Sequence, residues 1–353
     1  MNTKNYEDYQ KYCKPKLAEM LKSLKLDKEY ITGEDCVLTT ADGKEVIDYI
    51  GGFGALLLGH NHPEINEFAA DMIRKRTVMH SQVSVHPECA KLARLLSDLT
   101  PGDVSYRTNF SNTGTESVEA AIKHAYKVHF DKVRIQYERL TRILNDFYYK
   151  MEEEKLDLPL PGGKTLVDFR DDLDEYNLTQ LEEFQKHPAV IAFKGAFHGK
   201  TTSSLELTFN KSYREGYEGL SAIRPLFVDP SEPERISELV DEDICTFIFP
   251  VLDGGKVELR PLKLTRIIGL IMETVQGEGG IRPLPESTLV YLADHHSSMG
   301  IPYILDEIQT GFGRTGTLFA FEQFGAIPDI LTTGKALGGG MAMGALTASE
   351  ELM

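Results

Sequence analysis

IPYILDEIQTGFGRTGTLFAFEQFGAIPDILTTGKALGGG, residues 301–340, contains two short apolar runs of strand type. Tyr303, Ile304 and Leu305 run into Asp306, and Ile330, Leu331, Thr332 and Thr333 run up to Lys335. In a parallel α/β sheet, ligands gather beyond the carboxyl ends of the strands. The spacing therefore predicts two neighbouring strands that carry Asp306 and Lys335 to one pocket. Read singly, Asp306 would be a helix cap and Lys335 a lysine facing solvent.

DEIQTGFGRTG (306–316) followed by PDILTTGKALGGG (328–340) resembles the signature of the class III aminotransferases, pyridoxal-phosphate enzymes related to ornithine, acetylornithine, GABA and putrescine aminotransferases. The resemblance implies a fold-type I α/β protein with a mostly parallel central sheet covered by helices. It makes Lys335 the lysine that holds the cofactor as a Schiff base and Asp306 the carboxylate facing the pyridine nitrogen. A lysine must lose its proton to attack an aldehyde, and an apolar strand end followed by Ala-Leu-Gly-Gly-Gly favours the neutral amine. A carboxylate beside the ring nitrogen keeps that nitrogen protonated and the ring an effective electron sink.

The chain has 353 residues, 41% of them hydrophobic, enough for one large α/β domain with added elements. Its net charge of -16 argues against nucleic acid or an anionic membrane as main partner. Cys13, Cys36, Cys89 and Cys245 are widely spaced without metal-ligand spacing, as in reduced cytoplasmic proteins. The N-terminus has no apolar core of a signal peptide, and no run is long enough to span a membrane. The expectation is a cytoplasmic enzyme without a metal.

In chain order, residues 1–30 read as a polar helical arm, and 35–52 as a β-hairpin about Ala-Asp-Gly. Residues 1–60 form an N-terminal segment and 61–353 a cofactor-binding domain. GHNHPE (59–64) resembles a family segment, and its histidines His60 and His62 are read as loop-packing groups because no further metal ligands accompany them. An amphipathic helix follows at 87–99. FSNTGTESVEAAIKHA then predicts a strand and a helix that begins near Thr115, with Gly114 and Thr115 in its first turn. Such a turn suits a phosphate, and alone it would equally be an ordinary cap. By resemblance it is the phosphate-binding loop.

Residues 127–187 depart from the family pattern. Phe130, Val133, Tyr137, Leu140, Leu144, Phe147 and Met151 alternate at steps of three and four, and Leu166, Phe169, Leu173 and Tyr176 resume the alternation after LPLPGG. We read an inserted αα-hairpin that closes on itself and protrudes from the core. Its acidic outer face is either a solvated surface or a docking site for a protein partner.

Beyond it, AVIAF (189–193) and IIGLIM (267–272) read as buried strands. By resemblance GAFHGK (195–200) is the cofactor-stacking loop: Phe197 lies on one ring face and Ile308 on the other, with His198 beside them and Gln309 at the ring hydroxyl. Lys200 stands where many amino-acid members carry a carboxylate-gripping arginine, and the lysine version resembles putrescine aminotransferase. Glu273 is assigned to support of the pocket and Glu278 to a substrate gate that attracts a distal ammonium. A helix cap and an exposed turn residue are the plainer readings of these two.

The function implied is transamination from an amine, diamines and other ω-amines favoured, to an oxo acid such as 2-oxoglutarate, by a homodimer. The same core could serve an aminomutase, racemase or decarboxylase, or an inactive interaction module. Only residues 336–353 follow Lys335, so the family's small C-terminal domain is expected to be absent.

Overall fold

The computed structural model describes residues 3–78, 83–102, 104–154, 156 and 158–353. They form two compact units, residues 1–86 with 335–342 and residues 87–334 with 343–353.

In the first unit, α1 (Thr3–Tyr12) and α2 (Pro15–Ser23) precede an antiparallel sheet of β1 (Tyr30–Glu34), β2 (Val37–Thr40) and β3 (Glu45–Ile47). The hairpin read from the sequence thus gains a third strand. Its turn is fixed by Thr40, whose hydroxyl donates to Asp42 Oδ1 at 2.6 Å and accepts from the Lys44 N–H at 3.0 Å. The next turn, α3 (Gly51–Gly54), is left-handed at Gly52 and Phe53. Asp48 holds it by accepting the N–H groups of Ile50 and Gly51 at 2.8 and 3.0 Å, and its other oxygen lies 2.8 Å from His60 Nε2. α4 (Pro63–Arg74) follows.

The second unit begins with α5 (Pro87–Leu99), β4 (Tyr106–Ser111), α6 (Gly114–Glu153) and α7 (Leu166–Lys186). It continues through β5 (Ala189–Phe193), α8 (Ser203–Glu206), α9 (Lys211–Arg214), β6 (Arg224–Val228) and α10 (Glu234–Glu242). Then come β7 (Ile244–Asp253), β8 (Lys256–Thr265), β9 (Ile267–Met272), β10 (Val275–Gln276), β11 (Arg282–Pro283) and α11 (Glu286–Met299). β12 (Tyr303–Asp306), β13 (Ile330–Thr333) and β14 (Gly344–Ser349) end it. Seven strands form the central sheet in the order β4-β14-β13-β12-β9-β5-β6. β14 runs antiparallel to both its neighbours, and β13, β12, β9, β5 and β6 are parallel.

The inner parallel strands β5, β9, β12 and β13 are wholly buried and mostly apolar because both faces are covered. Ala189, Ile191, Phe193, Leu305 and Leu331 pack on one side with Leu289 and Leu292 of α11. Val190, Ala192, Ile304 and Ile330 pack on the other with Val118, Ala121, Ile122 and Ala125 of α6. Alternation along β12 turns Asp306 to the α6 side.

The insertion differs from its reading. α6 is one continuous helix of 40 residues, and its seam does not close on α7 alone. Val133, Leu140, Leu144 and Phe147 of α6 and Phe169, Leu173 and Phe184 of α7 share a core with Cys245, Phe247 and Val257 of the β7–β8 ribbon. Asn177 of α7 donates to the Ile248 carbonyl and accepts the Ile248 N–H, both at 2.8 Å, and Gln180 accepts the Thr246 N–H at 3.0 Å. The helix thereby closes one edge of β7 as another strand would.

Candidate active site

Asp306 ends β12 opposite Thr332 of β13, three residues before Lys335. Its Oδ2 lies 2.8 Å from Nδ1 of His198, and both side chains are buried. Oδ1 accepts the Ile308 N–H at 3.1 Å, which orients the carboxylate and starts the next turn. His198 is held by its own N–H, which donates to Thr208 Oγ1 at 3.1 Å; among the described residues its buried Nε2 has no partner. The sequence reading put His198 beside the cofactor ring without its link to Asp306. No local signal announces that link across 108 residues.

Glu273 is a buried strut. Oε1 accepts the Phe197 N–H at 2.9 Å and Oε2 accepts the Gly277 N–H at 3.1 Å, so the carboxylate joins the β5 loop to the turn after β9. Burial, and secondly the charge of Asp306, push its pKa up to about 7. Gln309 is half-buried against Gly277, where a Cβ would stand 3.6 Å from Gln309 Cγ. Gln276, which the sequence reading missed, fastens the same loop by donating to the Lys194 carbonyl at 2.9 Å.

At the head of α6, Thr113 accepts the Glu116 N–H at 3.2 Å while the Glu116 carboxylate accepts the N–H groups of Asn112 and Thr113. This capping box starts the helix at Gly114, one residue earlier than expected. It leaves the first-turn amides of Gly114 and Thr115 for an anion. A Cβ on Gly114 would stand 2.9 Å from Ile308 Cδ1, so only glycine lets the helix start approach the β12 loop this closely. Thr115 Oγ1 is 2.9 Å from Ser204 Oγ, and a Cβ on Gly199 would fall 2.1 Å from that same Thr115 oxygen. Glu119, another residue missed, accepts the N–H groups of Thr202 and Ser204 at 3.0 Å. Its pKa stays below the ordinary value: burial raises it, and these hydrogen bonds outweigh that.

A separate group comprises Phe197, Lys200, Tyr213 and Glu278. The Lys200 ammonium sits 3.8 Å from the Tyr213 ring centroid, and the Tyr213 hydroxyl reaches Glu278 Oε2 at 3.5 Å. Lys335, in the other unit, has φ +40, a conformation that costs energy in any residue but glycine. The structure thus assembles Asp306, His198, Ile308, Gly114 and Thr115 around one end of the sheet, ties Glu273 and Gln309 behind the Phe197 loop, and groups Lys200 with Glu278. A cavity of about 550 Å³ beside α6, lined by Glu116, Glu119, Lys123, Tyr126, Pro188 and Ile223, includes none of Asp306, His198 or Ile308.

Among the described residues no cluster of three or more His, Cys, Asp or Glu could hold a metal, and no helix is long and apolar enough to cross a membrane.

A family model for Aminotransferase class-III matches residues 24–353. Acetylornithine aminotransferase of Methanopyrus kandleri is 29% identical over 324 residues, 91% of this chain and 62% of that protein. The crystal structure of a transaminase from the marine bacterium Virgibacillus superposes with a TM-score of 0.68 at 21% identity, over 98% of this chain and 64% of that one; at this identity the likeness concerns the fold. The chain therefore spans under two thirds of the length of each. With the match reaching from residue 24 through Asp306 and Lys335 to the last residue, the chain belongs to the class III aminotransferases, a family of fold-type I enzymes that depend on pyridoxal phosphate.

Proposed function

We propose that the chain performs transamination from a primary amine, diamines and other ω-amines favoured, to an oxo acid such as 2-oxoglutarate. The observation that carries this reading is the buried Asp306–His198 pair at the end of β12, beside the strand that leads into Lys335. The surroundings fit pyridoxal phosphate: a buried carboxylate for a ring nitrogen, first-turn amides of a 40-residue helix for a phosphate, and a glycine that admits close approach. When bound, the cofactor supplies the sink for negative charge on the substrate carbon.

With the cofactor bound, Lys335 would hold it covalently and serve as the proton carrier at that carbon. Asp306 would keep the ring nitrogen protonated, with His198 fixing the carboxylate. Gly114 and Thr115 would hold the phosphate, Phe197 and Ile308 would cover the ring, and Gln309 would bind its hydroxyl. Glu273 supports this shell from behind, and Lys200 and Glu278 meet the charged ends of the substrates. Residues 61–353 act as the cofactor-binding domain with 127–187 inserted in it, and the working form is a cytoplasmic homodimer.

Borohydride reduction of the holoenzyme followed by peptide mapping is expected to place the cofactor on Lys335; a label on Lys194 or Lys200 would overturn the assignment. A screen of amines with 2-oxoglutarate then reads the reaction, and turnover that needs no oxo acid would replace transamination by another reaction on the same core.

A further inference from the structure

The Lys200 ammonium, 3.8 Å from the Tyr213 ring centroid and 5.5 Å from that of Phe197, sits at a corner where the two rings meet edge to face at 6.0 Å and 73°. The corner is braced. Asn210 Oδ1 accepts the Ser212 N–H at 3.1 Å and starts α9, and the Phe209 N–H donates to the Ala196 carbonyl at 2.8 Å, which ties the segment leading into α9 to the Phe197 loop. The Arg214 guanidinium lies 5.2 Å from the Phe227 ring and donates to the Phe209 carbonyl at 3.3 Å. On the hydroxyl edge of Tyr213 stands the Glu278 carboxylate. An aromatic face with a carboxylate at its rim recognises an ammonium, and it does not discriminate between the ammonium of a lysine and that of a ligand.

Resting on the transamination reading, we infer that the Tyr213 ring is a shared cation seat. Lys200 occupies it before the donor binds. The distal ammonium of a diamine takes its place between the ring and Glu278, because two ammonium groups about 4 Å apart repel and one ring face holds a single one. Lys200, displaced on its flexible stem, becomes available to the carboxylate of the oxo acid in the other half of the reaction. Tyr213 is thus a specificity-determining residue that sorts substrates by a charge at the end remote from the reacting amine.

The experiment compares 1,4-diaminobutane with 1-aminobutane, which share the reacting end and differ in the distal ammonium. With 2-oxoglutarate as acceptor, Tyr213→Leu is expected to lower the diamine-to-monoamine ratio of kcat/KM about tenfold, through weaker binding of the diamine. Tyr213→Phe, which keeps the ring, retains most of the ratio. Lys200→Met removes the competing ammonium and is expected to raise the ratio about threefold while weakening the binding of the oxo acid. Equal losses for both amines in Tyr213→Leu would mark Tyr213 as structural only. A fall of the ratio in Lys200→Met would overturn the seat, and this arm decides the matter if Tyr213→Leu does not fold. Calorimetric titration of the two amines into the same proteins reads binding without turnover. A Tyr213-dependent diamine preference in a protein that transaminates nothing would retain the seat and refute the reaction.

Discussion

The strand ends that carry Asp306 and lead to Lys335 and the helix–ribbon assembly of α6, α7, β7 and β8 are both buried, and they are built by different logic. At the strand ends, the packed apolar runs are local and the polar groups are joined over long sequence distances, as His198 to Asp306 and Glu273 to Phe197. In the assembly, the apolar seam itself is shared between remote segments, since Phe247 and Val257 complete the core begun by Val133 and Leu140. Function concentrates polar groups in the first region. In the second, stability depends on side chains that the helices cannot cover by themselves.

The most severe way to break this contrast is to replace residues 128–185 by a short Gly-Ser linker. A self-contained hairpin would leave a folded core. With the seam shared, the deletion uncovers Cys245, Phe247 and Val257 and their partly buried neighbours, a loss of about 5–10 kcal/mol at the usual value of a buried apolar side chain. That is comparable with the whole stability of a domain. We expect an aggregating product without a cooperative unfolding transition, and a soluble, cofactor-binding deletion would restore the protruding hairpin.

A smaller break is Asn177→Leu. The buried amide satisfies both backbone groups of Ile248, so the substitution leaves a donor and an acceptor without partners and is expected to cost about 2–4 kcal/mol. Urea denaturation reads it as a lowered midpoint with unchanged slope. A cost under about 0.5 kcal/mol would mean that α7 does not close the ribbon edge.

What was legible in the sequence follows the same division. β5, β9, β12 and β13 are runs of wholly buried residues and announce themselves. The capping box at Thr113 and Glu116 displaced the head of α6 by only one residue. The β7–β8 ribbon did carry a signal, since Asp253 and Lys256 bracket Gly254 and Gly255, whose positive φ angles make the two-residue hairpin turn. The helical alternation of α6 and α7 drew the reading away from it, because a heptad-like seam describes which side of a helix is apolar and not what covers that side. The bond from Phe197 to Glu273 and the position of Tyr213 had no local signal, being contacts across 76 and 65 residues.

The finest distinction between the two regions is their response to pH. Glu273 titrates near 7 in the folded chain against an ordinary 4.5, so the folded state binds the proton more tightly than the unfolded chain does. Its contribution to stability is therefore complete below pH 4.5, declines through the interval, and is gone above about 7, on the order of 2–3 kcal/mol across the window. Glu307, also raised by its burial, acts in the same direction, so the informative quantity is the difference between wild type and Glu273→Gln. The amide cannot reproduce both acceptor bonds to Phe197 and Gly277, which lowers stability by a constant amount. It cannot titrate either, so the difference between the two proteins must shrink as pH rises from 4.5 to 7. Asn177→Leu, placed where no carboxylate is held by such a strut, should show a difference independent of pH over the same range. Parallel stability curves for wild type and Glu273→Gln would show that the buried strut remains ionised throughout, and would remove pH as a distinction between the strand ends and the ribbon assembly.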